Sequence, residues 1–247
     1  MRTNLDGKLF IVTGASSGIG EATTKLLIAC GAEVLAVSRN ASTSTVTELE
    51  GCHTCDADME DSDAPYTIIE KAMEIRASID GIVFAAGHFG YQTLAATEIS
   101  EFDRFWKVHV RGPFQLTQSA IPLLTEGSAL VFVGSTVTRA GFAPYATYTA
   151  VKGAVEAMSR SIAIELAPKV RVNTIVPGFT NTPMMHVQYE QAPGLEHMII
   201  EKTPMGFVGG PEYAANMICL LCSPDAAYVT GTSIVVDGGW SAQGWQP

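Results

Sequence analysis

Charge is scarce in this chain. Only 16% of its 247 residues are Asp, Glu, Lys or Arg, and 15 basic residues face 25 acidic ones, for a net charge of −10. No cluster of Lys and Arg stands out, which excludes the basic surface that nucleic acid or an anionic membrane would require. Long apolar runs are missing too, so no segment reads as a bilayer span. Met1–Leu9 is short and polar, with Asp6 inside it, and lacks the apolar stretch of a secretory signal. A cytoplasmic protein is the expectation.

Cysteine is sparse and poorly placed for metal. Cys52/Cys55 and Cys219/Cys222 each form a CxxC, the spacing of zinc ligands. Most of the chain separates the two pairs, and the second lies in the apolar stretch Met217–Cys222, where cysteines act as small hydrophobes. No metal site is expected.

What the sequence has in quantity is apolar residues, 47% of the total, enough for a large core without disulfides. They fall into short β-rich runs at Leu9–Thr13, Glu33–Ser38, Gly51–Ala57, Gly81–Ala85, Ala129–Gly134, Val170–Val176 and Ser233–Val236. Helical patterns lie between them, at Glu21–Cys30, Tyr66–Arg76, Glu101–Leu124, Thr147–Leu166 and Glu212–Cys222. This alternation predicts an α/β fold over residues 1–247: one domain with a doubly wound, seven-stranded parallel sheet and helices on both faces. No repeat or linker divides the chain. Residues 181–209 lack strand character and carry several methionines, an irregular insertion suited to a substrate lid.

Polar, Gly or Pro residues gather at the same end of successive runs: Gly14, Ser38-Arg39, Asp58, Ala86-Gly87, Ser135 and Pro177-Gly178. Ligands of doubly wound sheets bind at that end. The first turn reads Thr13-Gly14-Ala15-Ser16-Ser17-Gly18-Ile19-Gly20, between a strand and a helix. Its glycines let the backbone turn tightly and approach a pyrophosphate, which the helix N-terminus would attract. After the second strand stands Arg39, where an NAD site usually has a carboxylate for the ribose 2′-hydroxyl. Arginine binds a 2′-phosphate instead, with Ser38 beside it, so the expected cofactor is NADP(H).

A second constellation carries reactive groups. Tyr148 and Lys152 lie four apart and share a helix face. An ammonium near the phenol favours its ionised form, so the expectation is a Tyr148 pKa lowered towards neutrality, suited to general acid/base work. Ser135 stands thirteen residues upstream, just past a strand, where its hydroxyl can bond a reacting carbonyl oxygen.

Together TGASSGIG, Ser135, Tyr148-x-x-x-Lys152, Pro177-Gly178 and Val235-Val236-Asp237-Gly238-Gly239 resemble the single-domain short-chain dehydrogenase/reductase family across essentially the whole chain. The resemblance implies a Rossmann-type fold and hydride exchange between a nicotinamide and a carbonyl/alcohol pair. Tyr148 would be the acid/base. Lys152 would hold the nicotinamide ribose and tune Tyr148, and Ser135 would orient the carbonyl. Asp58, in the pair Asp58-Met59, would contact adenine. Ala86-Gly87 would let the backbone pass under the cofactor. The chain from Pro177 and Gly178 to Thr180 would meet the carboxamide, with Thr182 near the phosphates. Helices at Glu101–Leu124 and Thr147–Leu166 would pair subunits into a homodimer or homotetramer.

Two departures stand out. Phe84-Ala85-Ala86-Gly87 replaces the family's Asn-Asn-Ala-Gly, a packing change. His109 occupies the place of a fourth catalytic residue, an Asn that holds a helix kink and whose main-chain carbonyl binds a relay water. With a pKa near the working pH, His109 is either a structural stand-in or a pH-dependent member of the relay.

The substrate is a small-molecule carbonyl or alcohol, and Thr136, Phe142, Tyr145, Met184, Met185 and Tyr189 are the expected pocket, apolar and adaptable. Reduction of 3-oxoacyl groups on acyl carrier protein is an alternative, ranked below a free ketone, sugar or secondary metabolite. That acidic carrier wants a basic patch, which this chain lacks. Other readings are a non-catalytic NADP(H)-binding sensor or scaffold, a cofactor-free lyase or dehalogenase, and a plain structural protein. Intact Ser135, Tyr148 and Lys152 oppose the sensor. The glycine turn and Arg39 oppose the lyase. NADPH binding decides the last.

Overall fold

A computed structural model describes residues 4–90 and 92–243. Seven strands, all parallel, form one sheet in the order β3-β2-β1-β4-β5-β6-β7. They are β1 Leu9–Thr13, β2 Glu33–Ser38, β3 Cys52–Asp56, β4 Ile79–Phe84, β5 Leu124–Val133, β6 Val170–Pro177 and β7 Ser233–Val236. Every residue of β1, β4 and β6 is buried, so both sheet faces are covered; polar residues that this encloses, among them Asp80 in β4 and Arg171 and Asn173 in β6, are held by hydrogen bonds.

Alternate side chains feed two cores. Leu9 and Ile11 join Ile68, Leu116, Val151 and Val155, from helices α2 (Ala64–Ile75), α4 (Gly112–Ala120) and α5 (Ala146–Leu166). Phe10 and Val12 join Leu27, Ala214 and Ile218 on the opposite face, from α1 (Gly18–Ala29) and α8 (Pro211–Cys222). In α8, Cys219 lies 3.6 Å, sulfur to sulfur, from Cys30, where α1 packs against α8. Among the described residues no cluster of three or more His, Cys, Asp or Glu is arranged to hold a metal. Nor is any helix there long and apolar enough to cross a membrane.

Three expectations need correction. The single helix expected over Glu101–Leu124 is α3 (Ile99–Trp106), a π-helical turn (Lys107–Arg111) and α4, which gives way to a 3₁₀ turn before Leu124. Prolines explain both breaks. Pro113 and Pro122 have no N–H to continue the ladder. Strand β5 begins at Leu124 rather than Ala129, because Leu124 pairs with Ile79 and Ala129 with Gly81. The surplus residues bulge around Gly127, whose φ is +78°, and they hid the strand's start in the sequence. Finally, the insertion at 181–209 is not irregular. It folds into α6 (Pro183–Gln191) and α7 (Leu195–Lys202).

Candidate active site

The strand order reverses direction at β1, whose neighbours are β2 and β4. The loops leaving β1 and β4 therefore diverge and open a crevice between them. Gly14 sits at φ +71°, and a Cβ there would lie 2.7 Å from the Ala85 carbonyl oxygen. A Cβ on Gly20 would lie 2.1 Å from the Gly14 oxygen, so the first turn of α1 closes directly onto the loop. Thr13 Oγ1 accepts a bond from the Ala86 N–H at 3.2 Å and ties the two loops together.

The resulting cleft has a volume of about 870 Å³, within the roughly 300–1,000 Å³ of small-molecule and cofactor sites. One end holds the turn expected to bind phosphate, with Gly14, Ser16, Ser17, Gly18, Ile19 and Gly20. Ser38 and Arg39 from the end of β2 line it, with Asp58 and Met59 beyond β3. Arg39 is exposed and pairs with no carboxylate among the described residues. Ala86, Gly87, Pro177, Gly178, Thr180 and Thr182 line the middle of the sheet edge. Every residue expected to bind cofactor thus faces one space.

Ser135 follows β5 in extended backbone, and its Oγ accepts from the Val137 N–H at the start of the turn Thr136–Thr138. Tyr148 and Lys152 rise from the first turns of α5. Lys152 Nζ donates to the Val133 carbonyl at 2.8 Å, so the lysine is anchored to the last residue of the strand that presents Ser135. The same nitrogen lies 5.5 Å from the Tyr148 ring centroid.

The electrostatics differ from the sequence expectation. Burial pushes the Tyr148 phenol up to about 12, although its bond with Ser135 pulls the other way. Burial also pushes Lys152 down to about 8. Desolvation disfavours both charged forms, and for the phenol it outweighs the Ser135 bond. Tyr148 is therefore a protonated donor, not a partly ionised one.

His109 sits in the π-helical turn, 3% exposed. Its Nε2 lies 3.0 Å from the His88 carbonyl and 3.3 Å from the His88 N–H, and a neutral ring serves one of them at a time. Burial first, then the Lys152 charge and His88, hold its pKa well below the ordinary value. The expectation of a group titrating near the working pH is not met. Pro113, four residues on, has no N–H to give the His109 carbonyl.

Of the expected substrate residues, Thr136, Phe142, Tyr145, Met184 and Met185 line the cleft. Tyr189 does not. It packs beside His186, with ring centroids 6.3 Å apart, on α6. Sequence reasoning missed Phe89, Phe179, Met198 and Trp240, which also line the cleft. The strand-end rule would have found three of them: Phe179 follows β6, Trp240 follows β7, and Phe89 stands two residues after Gly87.

A glycine-lined crevice at a sheet switch point, with serine, tyrosine and lysine on its wall, defines a dinucleotide-binding α/β oxidoreductase. The family described as enoyl-(acyl carrier protein) reductase matches residues 14–241. A 3-oxoacyl-[acyl-carrier-protein] reductase of Thermotoga maritima is 34% identical, over 95% of this chain and 98% of that protein. Bovine L-xylulose reductase is 31% identical, over 98% of this chain and all of that protein. A Brucella melitensis short-chain dehydrogenase/reductase structure superposes with a TM-score of 0.91 at 31% identity, covering 97% and 99% of the two chains. A 3-ketoacyl-(acyl-carrier-protein) reductase from the same organism, complexed with NADH, gives 0.88 at 31% identity and covers 96% and 100%. This chain belongs to the short-chain dehydrogenase/reductase family. It is a family of oxidoreductases that use a nicotinamide cofactor.

Proposed function

We propose that the protein is an NADP(H)-dependent oxidoreductase that interconverts a small-molecule ketone and a secondary alcohol, working in a homodimer or homotetramer. One observation carries this reading. Ser135, Tyr148 and Lys152 share the wall of the cleft whose far end holds the Gly14–Gly20 turn and Arg39, a cation with no carboxylate partner among the described residues.

The residues fit the cofactor. The Gly14–Gly20 turn offers backbone N–H groups to the pyrophosphate, and Arg39 with Ser38 offers donors to a 2′-phosphate. Lys152 holds the nicotinamide ribose. Bound there, NADPH would supply the hydride for the carbonyl carbon and be oxidised to NADP⁺. The carbonyl oxygen takes the Tyr148 proton, so the C=O π bond gives way to a C–H and an O–H bond. Ser135 donates to that oxygen and orients it. A phenol held up at about 12 keeps its proton at working pH, which suits reduction. His109 serves as a structural stand-in for the family's Asn: its side chain is held neutral against His88, and its carbonyl faces a proline that cannot bond it.

Relatives named for acyl-carrier substrates keep a 3-oxoacyl thioester among the substrates to try. A net charge of −10 argues against docking their acidic carrier. The test is NADPH oxidation across a panel of ketones, sugars and a 3-oxoacyl thioester. Tyr148→Phe should lower kcat by about 10²–10⁴-fold while NADPH affinity stays within about twofold. NADPH binding without turnover of any carbonyl would leave a sensor or scaffold instead.

A further inference from the structure

Six aromatic rings line the substrate end of the cleft and touch in sequence. Tyr148 meets Phe89 at 5.2 Å between centroids, and Phe89 meets Tyr145 at 5.0 Å. Tyr145 meets Phe142 at 6.4 Å, Phe142 stacks on Trp240 at 5.1 Å, and Trp240 meets Phe179 edge-on at 5.5 Å. Each separation falls in the range of favourable aromatic pairs. The rings come from four places: the loop after β4, the start of α5 with the loop before it, and the ends of β6 and β7. All six line the cleft and are half-buried, so neighbours cover part of each and the rest stays accessible.

The arc is held firmly at its far end. Asp237 accepts bonds from the Gly239 N–H at 2.9 Å and the Ser241 N–H at 2.8 Å, which fixes the turn that carries Trp240. The lid helices α6 and α7 add Met184, Met185 and Met198 to the same cleft, thioethers that adapt to an aromatic face. Arg39 and Asp58 are expected cofactor residues, Arg104 is paired with Glu60 at 3.3 Å and with Glu101 at 3.7 Å, and Lys152 is anchored to Val133. The charge contributed by the lid is Lys202, exposed at the end of α7.

We infer that the substrate is a flat, uncharged ketone bearing an aromatic ring, laid against the arc Phe89–Tyr145–Phe142–Trp240 with its carbonyl at Ser135 and Tyr148. This rests on the oxidoreductase reading and narrows its substrate class. An extended aliphatic chain or a polyol would gain little from such a wall, whereas a ring gains edge and face contacts along it.

The test compares NADPH-dependent reduction of β-tetralone and β-decalone, which share a skeleton and a carbonyl set off from the ring. The charged 4-acetylbenzoate is compared with neutral acetophenone. Two ring contacts correspond to roughly tenfold in kcat/KM, so β-tetralone should exceed β-decalone by about that factor. Acetophenone should likewise exceed 4-acetylbenzoate. Trp240→Leu should erase most of the β-tetralone advantage, lowering β-tetralone turnover several-fold more than β-decalone turnover. Phe142→Leu gives the same comparison if Trp240→Leu does not fold. Equal turnover of the two bicyclic ketones, or a variant that slows both alike, overturns the inference and leaves the oxidoreductase reading standing. If the protein binds NADPH but reduces no ketone in either series or in the wider panel, that reading falls and the inference with it.

Discussion

Glu156 takes the Arg139 guanidinium at 2.6 Å and lies one turn beyond Lys152 on α5. Its other carboxylate oxygen accepts from Thr138, whose hydroxyl also lies 2.9 Å from the Ser135 carbonyl. A buried carboxylate on the helix of Tyr148 thus holds the turn that follows Ser135. It keeps the two sides of the site in register.

Removing that clamp should separate rate from binding. Glu156→Ala should cost about 1–3 kcal/mol of stability, with the half-exposed Arg139 keeping the value low. For a chain of this size that is about 2–4 °C in Tm per kcal/mol. It should lower kcat while leaving NADPH affinity near wild type. Glu156→Gln retains an acceptor for Thr138 and should recover most of the rate. Steady-state kinetics and thermal unfolding of both variants decide it; equal kcat in all three proteins would limit Glu156 to a structural role.

The pH dependence should follow Lys152 rather than His109. Lys152 carries its charge below about 8 and loses it above, so kcat/KM for reduction should fall as pH rises through about 8. Stability should move the other way. The folded pKa lies below the ordinary 10.5, so between these values the unfolded chain binds the extra proton and this group's penalty on folding shrinks as pH rises. Tyr148, raised from 10 to about 12, opposes this only above pH 10. His109→Asn should leave the profile unshifted, since His109 is already neutral. A shift of either limb in that variant would put His109 in the proton path.

Cofactor choice should rest on Arg39. Replacing it with Asp sets a carboxylate where a 2′-phosphate would lie. A charge-assisted bond contributes about 1.5–3 kcal/mol, so the NADPH to NADH preference should fall by about 10–150-fold or more. Binding isotherms for both nucleotides measure this directly, and an unchanged ratio would show that the phosphate is held elsewhere.

The sheet and the site's frame were legible because they depend on local rules. Strand runs buried on both faces are mostly apolar, as Leu9–Val12 shows, and glycines are obligatory where a Cβ would strike backbone, as at Gly14 and Gly20. Three things were not legible. The tyrosine's acidity is set by burial against the Ser135 bond, and sequence shows the nearby lysine but not the burial. The break at His109 depends on a proline four residues away, which reads as a minor fault in a long helical pattern. Phe89 and Trp240 lie 151 positions apart in the chain, and only the folded sheet brings them to one wall.

The cleft is drawn from both ends of the chain, from Gly14 to Trp240. No contiguous fragment contains it, and it does not exist until β7 has joined β6. Ligand binding is therefore coupled to cooperative folding of the whole sheet rather than to a local segment. A nucleotide at a hundred times its Kd would add about 2.7 kcal/mol to global stability, so a shift in melting temperature can rank cofactors before any substrate is known.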